Sequence, residues 1–418
     1  MSFQTGLSGL NASSRSLDVI GNNIANANTT GMKASRAEFS DLVASSFGAS
    51  SSASAGLGVM VAAVSQQFNQ GSITTTGNNL DVAINGLGFF QLEQPNGTQA
   101  YTRDGSFKLD NDGWLKTNGN AYVIGTDASG IKGSKLQLST VDLLSPTPTT
   151  IINAGFNLDA RAQPAATSTP PTPRSTYSIS SNVYNATGVP LPVSFYFEKD
   201  ASANTWNIYA GIDGIPNVGD TYPILGTLSF DSSGKNPTVV PNGSLSPPPT
   251  AFGTSGLTLP AGTSGLPYPT QPITIDFDTA LTTQYGTAFR TARLEQDGYP
   301  SGDLTGLSIG DTGQISANYS NGRTQNMGQL ELADFRNVQG LMPLGGNAWS
   351  ETLASGKMPN GAPGTNRFGT LKSGALEDSN VDLTSELVNM MTAQRAYQAN
   401  AQTIKTQDQV MSTLVNLR

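Results

Sequence analysis

The sequence predicts an α+β multidomain fold with a long, coiled-coil-like helix at each end. Between the ends it predicts two mainly antiparallel β-domains, the second inserted in the first. Twenty of the 24 prolines lie between Pro146 and Pro300, and none occurs in residues 1–94 or 364–418. Because proline interrupts helices and central strands, only the two ends are free to form long helices. Both ends also carry a heptad spacing, and the remainder shows short strands separated by turns.

The helical ends share one periodicity, in which residue steps alternate between four and three. The first seam is Phe3, Leu7, Leu10, Ser14, Leu17, Gly21 and Ile24. The second is Leu383, Leu387, Met390, Gln394, Tyr397, Ala401, Ile404, Asp408, Met411 and Val415. We expect the second helix to run from Asp382 to Leu417, with Asn380 or Asp382 as its cap.

Two interpretations of these seams stay open, because small and polar residues weaken both of them. The helices either form a two-helix coiled coil within one molecule, or become ordered when many copies pack together. On the second interpretation the polymer-forming contacts are the seam residues Phe3, Leu7, Leu10, Leu17, Ile24, Leu383, Leu387, Met390, Tyr397, Ala401, Ile404, Met411 and Val415.

The domain boundaries follow the changes in composition and predicted secondary structure along the chain. Residues 1–30 and 375–418 form the helical domain, and 31–70 with 361–374 form a connecting region. The Ser/Ala/Gly-rich stretch 45–58 within it is predicted to be a flexible joint, as is 355–369. Residues 71–145 and 293–360 form the first β-domain, with hairpin turns such as Asn85-Gly86. The proline-rich residues 146–292 form the inserted outer β-domain.

Composition excludes several function classes. The chain has no Cys and no His, so disulfides, thiolate metal sites, histidine-ligated metals and Ser-His-Asp triads are impossible. A net charge of −8 argues against a nucleic-acid binder. No run of residues is apolar and long enough to span a membrane, and residues 1–6 do not resemble a secretory signal peptide. We therefore expect no enzyme activity, no cofactor, no nucleic-acid partner and no membrane insertion.

Two local patterns have a functional and a structural interpretation. Residues 110–113 (DNDG) begin like a calcium loop but lack its later oxygen ligands, which favours a hairpin turn. Tyr184, Tyr196, Trp206 and Tyr209 either form a sugar-binding face or belong to the core and edges of the inserted domain, and the second alternative is favoured.

Several stretches resemble the flagellar rod and hook family of bacterial axial proteins, with hook subunits as the best match. At the N-terminal end they are 6–12 (GLSGLNA), 17–26 (LDVIGNNIAN) and 30–33 (TGMK). In the first β-domain they are 80–84 (LDVAI), 88–90 (GFF) and 101–107 (YTRDGSF). At the C-terminal end they are 374–383 (GALEDSNVDL), 386–391 (ELVNMM), 393–401 (AQRAYQANA) and 404–408 (IKTQD). Residues 146–292 carry no specific motif.

This resemblance implies a structural subunit that assembles with itself into a curved, flexible helical tube. The terminal helices would line an inner tube, and the tube would act as a universal joint passing torque from rod to filament. The implied partners are the hook scaffolding cap, the distal rod, the hook–filament junction proteins and the flagellar type III export apparatus. The implied location is extracellular, in the flagellum, reached without a cleaved signal peptide. The alternatives are a distal rod protein or, from another class, a secreted adhesin or glycan-active protein.

Overall fold

The computed structural model describes residues 2–42, 58–138, 143–164, 176–202, 204–212, 224–241, 256–259, 273–278 and 280–416. It divides into two compact units. Unit 1 comprises Met1–Thr140, Thr305–Asn318 and Thr324–Arg418; unit 2 comprises Val141–Leu304 and Tyr319–Arg323. The predicted fold class is confirmed, since a helix lies at each end and the sheets between them are mostly antiparallel.

Two long helices, both in unit 1, begin and end the chain. Helix α1 spans Ser2–Ala25. Helix α2 spans Leu383–Asn416, one residue shorter at each end than predicted. The side chain of Asp382 caps α2 by accepting hydrogen bonds from the backbone N–H of Thr384 (2.9 Å) and Ser385 (3.3 Å). This capping satisfies N–H groups that have no partner inside the helix.

An antiparallel hairpin follows α1, where the sequence predicted a connecting region. Strand β1 spans Ser35–Leu42 and β2 spans Gly58–Gln66; Ser35 pairs with Gln66 at the open end of the ladder, and Leu42 pairs with Gly58 at the other end. The pairing of β1 with β2 brings Gln66 back beside Ser35. The predicted joint at 45–58 falls on residues 43–57, except for Gly58, which begins β2. The structure of residues 43–57 themselves lies outside the described residues.

The first β-domain continues with eight short strands in unit 1. They are β3 (Ile73–Thr75), β4 (Val82–Asn85), β5 (Phe89–Glu93), β6 (Gln99–Thr102), β7 (Phe107–Leu109), β8 (Leu115–Thr117), β9 (Tyr122–Asp127) and β10 (Ser134–Lys135). Gly86 adopts a positive φ of 116° after β4, but the predicted hairpin turn at Asn85-Gly86 is wrong, because β4 pairs with β28 and not with β5. Residues 110–113 form the β7–β8 turn, in which Gly113 N–H donates to the Asp110 carbonyl at 2.9 Å.

Unit 2 contains the predicted strands of the proline-rich segment. Its strands are β11 (Leu143–Leu144), β12 (Ile151–Asn157), β13 (Tyr177–Tyr184), β14 (Pro190–Lys199), β15 (Thr205–Ile212), β16 (Ile224–Ser229), β17 (Thr238–Pro241), β18 (Gly256–Leu259), β19 (Ile273–Phe277), β20 (Arg290–Gln296) and β21 (Gly302–Ile309), whose last residues belong to unit 1. One sheet has the order β13-β14-β15-β16-β17, and the other has the order β18-β19-β12-β20. Only the β12–β19 pair of these two sheets is parallel.

The core of unit 2 is apolar and rich in aromatic side chains. Trp206 is fully buried in it, and Tyr177 stacks on Phe289 with ring centroids 4.7 Å apart. Tyr196 and Tyr209 face each other across β14 and β15, and both are half-buried. The burial of Trp206 agrees with the predicted role of these aromatics in the core and at strand edges.

The closing strands return to unit 1 and complete its sheet. They are β22 (Gln314–Tyr319), β23 (Thr324–Leu330), β24 (Leu332–Ala333), β25 (Met342–Gly345), β26 (Ala348–Ser350), β27 (Asn360–Gly361), β28 (Thr370–Ser373) and β29 (Ala375–Glu377). The sheet follows the path β22-β23-β9-β5-β6-β26-β25. Its core joins Phe89, Tyr101, Phe335 and Trp349 through edge-to-face contacts. Strands β28 and β29 pair with β4 and β3, so both predicted connecting regions contain strands.

Candidate functional site: the terminal helices and their buried root

The two terminal helices pack against each other within one chain, in antiparallel directions. Near the start of α1, Gly6 and Gly9 face Ile404 and Asn400, and near its end Asn23 faces Glu386. A Cβ atom on Gly6 would lie 3.1 Å from Ile404 Cγ1, and one on Gly9 would lie 2.9 Å from Asn400 Nδ2. The helices therefore approach closely because glycine has no side chain at these positions.

The intramolecular seam is one position away from the apolar seam that the sequence shows on α1. The α1 residues that face α2, Gly6, Gly9 and Asn23, each precede one of the predicted seam residues Leu7, Leu10 and Ile24. On α2 the partly buried residues are Glu386, Met390, Ala393, Asn400, Ala401, Ile404 and Gln407. One residue corresponds to a rotation of about 100° around a helix axis. The close contact is consequently made mostly by small and polar residues.

This rotation leaves apolar side chains uncovered on the helix pair. Of the predicted contacts, Leu10, Leu17, Ile24, Met390, Ala401 and Ile404 are half-buried, whereas Phe3, Leu7, Leu383, Leu387, Tyr397 and Met411 are exposed. The side chain of Val415 lies outside the described residues. Val388, Met391 and Val410 are also exposed and were not predicted as contacts.

Apart from Tyr397, which lies midway along α2, the exposed apolar side chains form two groups, one at each end of the helix pair. The proximal patch, near the β-strands that precede α2, comprises Leu383, Leu387, Val388 and Met391. The distal patch comprises Phe3, Leu7, Val410 and Met411, which share one end because the helices are antiparallel. The helices therefore pair within one chain, as the first interpretation of the heptads predicts, and apolar side chains remain exposed on the pair.

The segments that follow α1 and precede α2 form the root of the helix pair. A buried ion triad of Lys33, Arg103 and Glu377 lies there. The Lys33 Nζ–Glu377 Oε1 distance is 2.6 Å, and the Arg103 Nη1–Glu377 Oε2 distance is 3.2 Å. The side chains of Lys33 and Glu377 are fully buried, and that of Arg103 is 4% exposed. Lys33 also donates to the Asn69 carbonyl at 2.8 Å, and Arg103 donates to the Gly86 carbonyl at 2.9 Å. These bonds satisfy donors that water cannot reach, although the buried Nε of Arg103 has no hydrogen-bond partner among the described residues.

Burial is the main influence on the two cations of the triad. It lowers the pKa of Lys33 and the pKa of Arg103, and the nearby Glu377 carboxylate opposes both shifts. The carboxylate also accepts a hydrogen bond from the Gly71 N–H at 2.9 Å. One acid therefore accepts hydrogen bonds from three different segments, and its loss would leave two buried positive charges without their ion-pair partner, with Asp334 still acting on Arg103.

Two asparagines complete the root. Asn23 of α1 is buried; its side chain accepts a hydrogen bond from Ser35 N–H at 2.9 Å and donates to the Ser35 carbonyl at 2.8 Å. Asn380 accepts from Ala34 N–H at 2.7 Å and donates to the Gln67 carbonyl at 2.7 Å. Asn380, which we considered as a helix cap, thus joins the segment before α2 to the segment after α1.

The triad brings together three motifs on which the family resemblance rests. Lys33 closes 30–33, Arg103 lies in 101–107, and Glu377 lies in 374–383. Its pairs are 344 and 274 residues apart in the chain. This cluster was not predicted from the sequence. Its only sequence signal is a charged residue in each of three motifs of a chain that has few charges.

The described residues contain neither a metal-binding cluster nor a membrane-spanning helix. Within the part of the chain that the structure describes, no group of three or more acidic residues is placed to hold a metal ion. Neither α1 nor α2, over its described residues, is long and apolar enough to cross a membrane.

Four family models match successive parts of the chain. They are described as flagella basal body rod protein (residues 3–33), flagellar hook protein FlgE/F/G D1 domain (83–148), flagellar basal body protein FlaE D2 domain (157–299) and flagellar basal body rod FlgEFG protein C-terminal (372–417). The model described as C-terminal covers the whole of α2, and that of the rod protein covers α1 from Phe3 onwards and the triad residue Lys33.

Full-length relatives match as well. The chain is 39% identical over 430 residues to the flagellar hook protein FlgE of Escherichia coli K12, with 100% of both chains covered. It is 31% identical to FlgE of Treponema pallidum, with 100% of this chain and 99% of the relative covered. The crystal structure of Helicobacter pylori hook protein FlgE2 aligns with a TM-score of 0.54 at 16% identity, over 73% of this chain and 100% of that one, which supports the fold.

The fold, the paired terminal helices and these matches define a structural axial component of the bacterial flagellum. The chain belongs to the flagellar hook protein family and is a structural subunit of the hook. The rod and adhesin alternatives are not favoured, because the full-length relatives are hook proteins.

Proposed function

We propose that the helix pairs of many copies line a shared tube and that the exposed apolar patches are the contacts between copies. The proposal rests on one observation. Within each chain the two helices contact each other closely through small residues, and large apolar side chains beside that contact stay exposed. In the isolated chain, large apolar side chains at both ends of the pair face water. Burying them against neighbouring copies would supply the hydrophobic driving force for assembly.

In this proposal the tube is curved and flexible, and it acts as a universal joint that transmits torque from rod to filament. The helical domain (1–30 and 375–418) would form the inner layer, and the domain at 146–292 would form the outer layer. The low charged fraction of the chain, 12%, is suited to outer contacts that shift during bending, because few buried ions would be separated.

The proposed partners and route follow from family membership. Besides other copies of itself, the subunit would meet the scaffolding cap, the distal rod, the junction proteins and the type III export apparatus. Export would occur without a cleaved signal peptide and would place the protein outside the cell. The complete lack of cysteine fits this route, since a disulfide would obstruct threading of an unfolded chain.

Electron microscopy of the concentrated full-length protein tests the proposal. We expect short, curved tubes; straight, rigid rods would instead indicate a rod protein, and no assembly at any concentration would contradict the proposal. Deleting residues 383–418 should abolish assembly while circular dichroism still shows folded β-domains. Polymers formed by that deletion variant would refute the role of α2.

A further inference from the structure

A basic pocket lies on unit 1, and its lining includes none of the residues of the two helix patches or the ion triad, although its Asp334 lies close enough to Arg103 to oppose the lowering of the Arg103 pKa. It is a cavity of about 420 Å³, whose lining includes Asp334, Arg336, Lys357, Arg367 and Phe368. None of the hydrogen bonds and ion pairs described above for the helix pair or its root uses these side chains.

The backbone around the pocket is held by hydrogen bonds. Asp334 N–H donates to the Pro359 carbonyl at 3.2 Å, and Phe368 N–H donates to the Thr365 carbonyl at 2.9 Å. Lys357 follows a turn in which Ser355, fully buried, donates from its hydroxyl to the Thr352 carbonyl at 2.8 Å. The segments that carry the cations are therefore fixed before any ligand arrives.

The charge of the pocket is opposite to that of the chain. Arg367 approaches Asp334, with an Nη2–Oδ2 distance of 3.7 Å. Neither Arg336 nor Lys357 forms an ion pair with any residue that the structure describes. Three of only 22 basic residues thus line one cavity with a single acid, in a chain of net charge −8.

We propose that the basic pocket receives a carboxylate-bearing segment of a neighbouring copy of this chain. The inference rests on the proposed self-assembly. Charge complementarity favours a second copy as the occupant, because acidic residues outnumber basic ones by 30 to 22 and the rest of the surface is therefore acidic overall. A helical polymer needs contacts between two different surfaces of the subunit, which such a pairing supplies. Two arginines provide planar donor groups that match carboxylates.

The test measures the critical concentration for assembly of the full-length protein by sedimentation at 50 mM and 500 mM salt. A pocket variant is compared with a matched variant that loses the same number of exposed cations elsewhere in unit 1. The pocket variant is Arg336→Gln/Lys357→Gln/Arg367→Gln, and the matched variant is Lys108→Gln/Lys132→Gln/Lys372→Gln.

We expect the pocket variant to raise the critical concentration at 50 mM salt about tenfold, and the matched variant to change it less than twofold. The unsubstituted protein should assemble less readily at 500 mM salt, because salt screens exposed charges. The critical concentration of the pocket variant should depend much less on salt. A double variant, Arg336→Gln/Lys357→Gln, leaves the Arg367–Asp334 pair intact and should shift the critical concentration about fourfold in the same direction. The variant Arg336→Lys/Arg367→Lys keeps the charge but loses the planar donor groups, so its critical concentration at 50 mM salt should lie between those of the unsubstituted protein and the pocket variant.

Three results overturn the proposal, and they are distinguishable. Unchanged assembly of both pocket variants shows that the pocket does not contact a neighbour. Equal shifts in the pocket and matched variants show an effect of net charge alone. Failure of the unsubstituted protein to assemble overturns the proposed function and this inference with it, whereas the first two results leave the proposed function standing.

Discussion

The exposed side chains of α2 lead to a quantitative prediction about assembly. Leu387, Met391 and Met411 are 51%, 52% and 55% exposed in the single chain. Complete burial of such a side chain stabilises by about 1.5–3 kcal/mol, so covering the exposed half contributes about 1 kcal/mol each. Substituting all three should weaken subunit addition by about 3 kcal/mol, which corresponds to roughly a hundredfold rise in critical concentration.

The variant Leu387→Gln/Met391→Gln/Met411→Gln tests this, because leucine, methionine and glutamine have similar helix propensities. The measurement is the critical concentration by sedimentation, with thermal melting to verify that the subunit still folds. A matched control on the same helix replaces three exposed glutamines with alanine: Gln398→Ala, Gln402→Ala and Gln409→Ala. The control should assemble like the unsubstituted protein. Assembly of the apolar-to-glutamine variant at the unsubstituted critical concentration would refute the contact role of these patches.

Three further predictions concern stability. Glu377→Gln should lower the free energy of unfolding of unit 1 by about 3–5 kcal/mol in urea titrations, because it leaves two buried cations without their ion-pair partner. Trp206→Ala should cost unit 2 about 3–5 kcal/mol through loss of buried apolar contacts, and hydrogen exchange should show unit 1 unchanged. Hydrogen bonds from Arg161 lower the pKa of Asp159 to about 2, below its ordinary value of 3.8. The stabilisation from this pair should therefore be present above pH 4 and be lost as the pH falls towards 2, and Asp159→Asn should remove that dependence.

Each of these has a result that would contradict it. An unfolding midpoint for Glu377→Gln equal to that of the unsubstituted protein would mean that the triad is not held as described. Faster exchange throughout unit 1 in Trp206→Ala would mean that the two units do not unfold separately. An unchanged acid response in Asp159→Asn would assign the loss of stability below pH 4 to other carboxylates.

Local sequence patterns were sufficient to predict the elements that depend on residues close together in the chain. The absence of proline and the heptad spacing predicted α2 to within one residue at each end, and Asp382 was identified as a possible cap. The hairpin turn at residues 110–113 followed from turn chemistry, whereas Asn85-Gly86 is not a hairpin turn because β4 pairs with β28 and β5 pairs with β6, β9 and β24. The β1–β2 hairpin was missed because many of its side chains, including Phe39, Met60 and Val64, are exposed, so no buried face produces a clear alternation.

The sequence by itself determined the two helices, the β character of the middle and the exclusion of chemistry that requires Cys or His. Which face of each helix meets the other was decided only by tertiary structure. Gly6 and Gly9 allow a closer approach than the apolar seam would, so the close contact is made by the smaller residues and the large ones remain exposed. The ion triad likewise depends on folding, because Lys33, Arg103 and Glu377 meet only when segments hundreds of residues apart are brought together in one core.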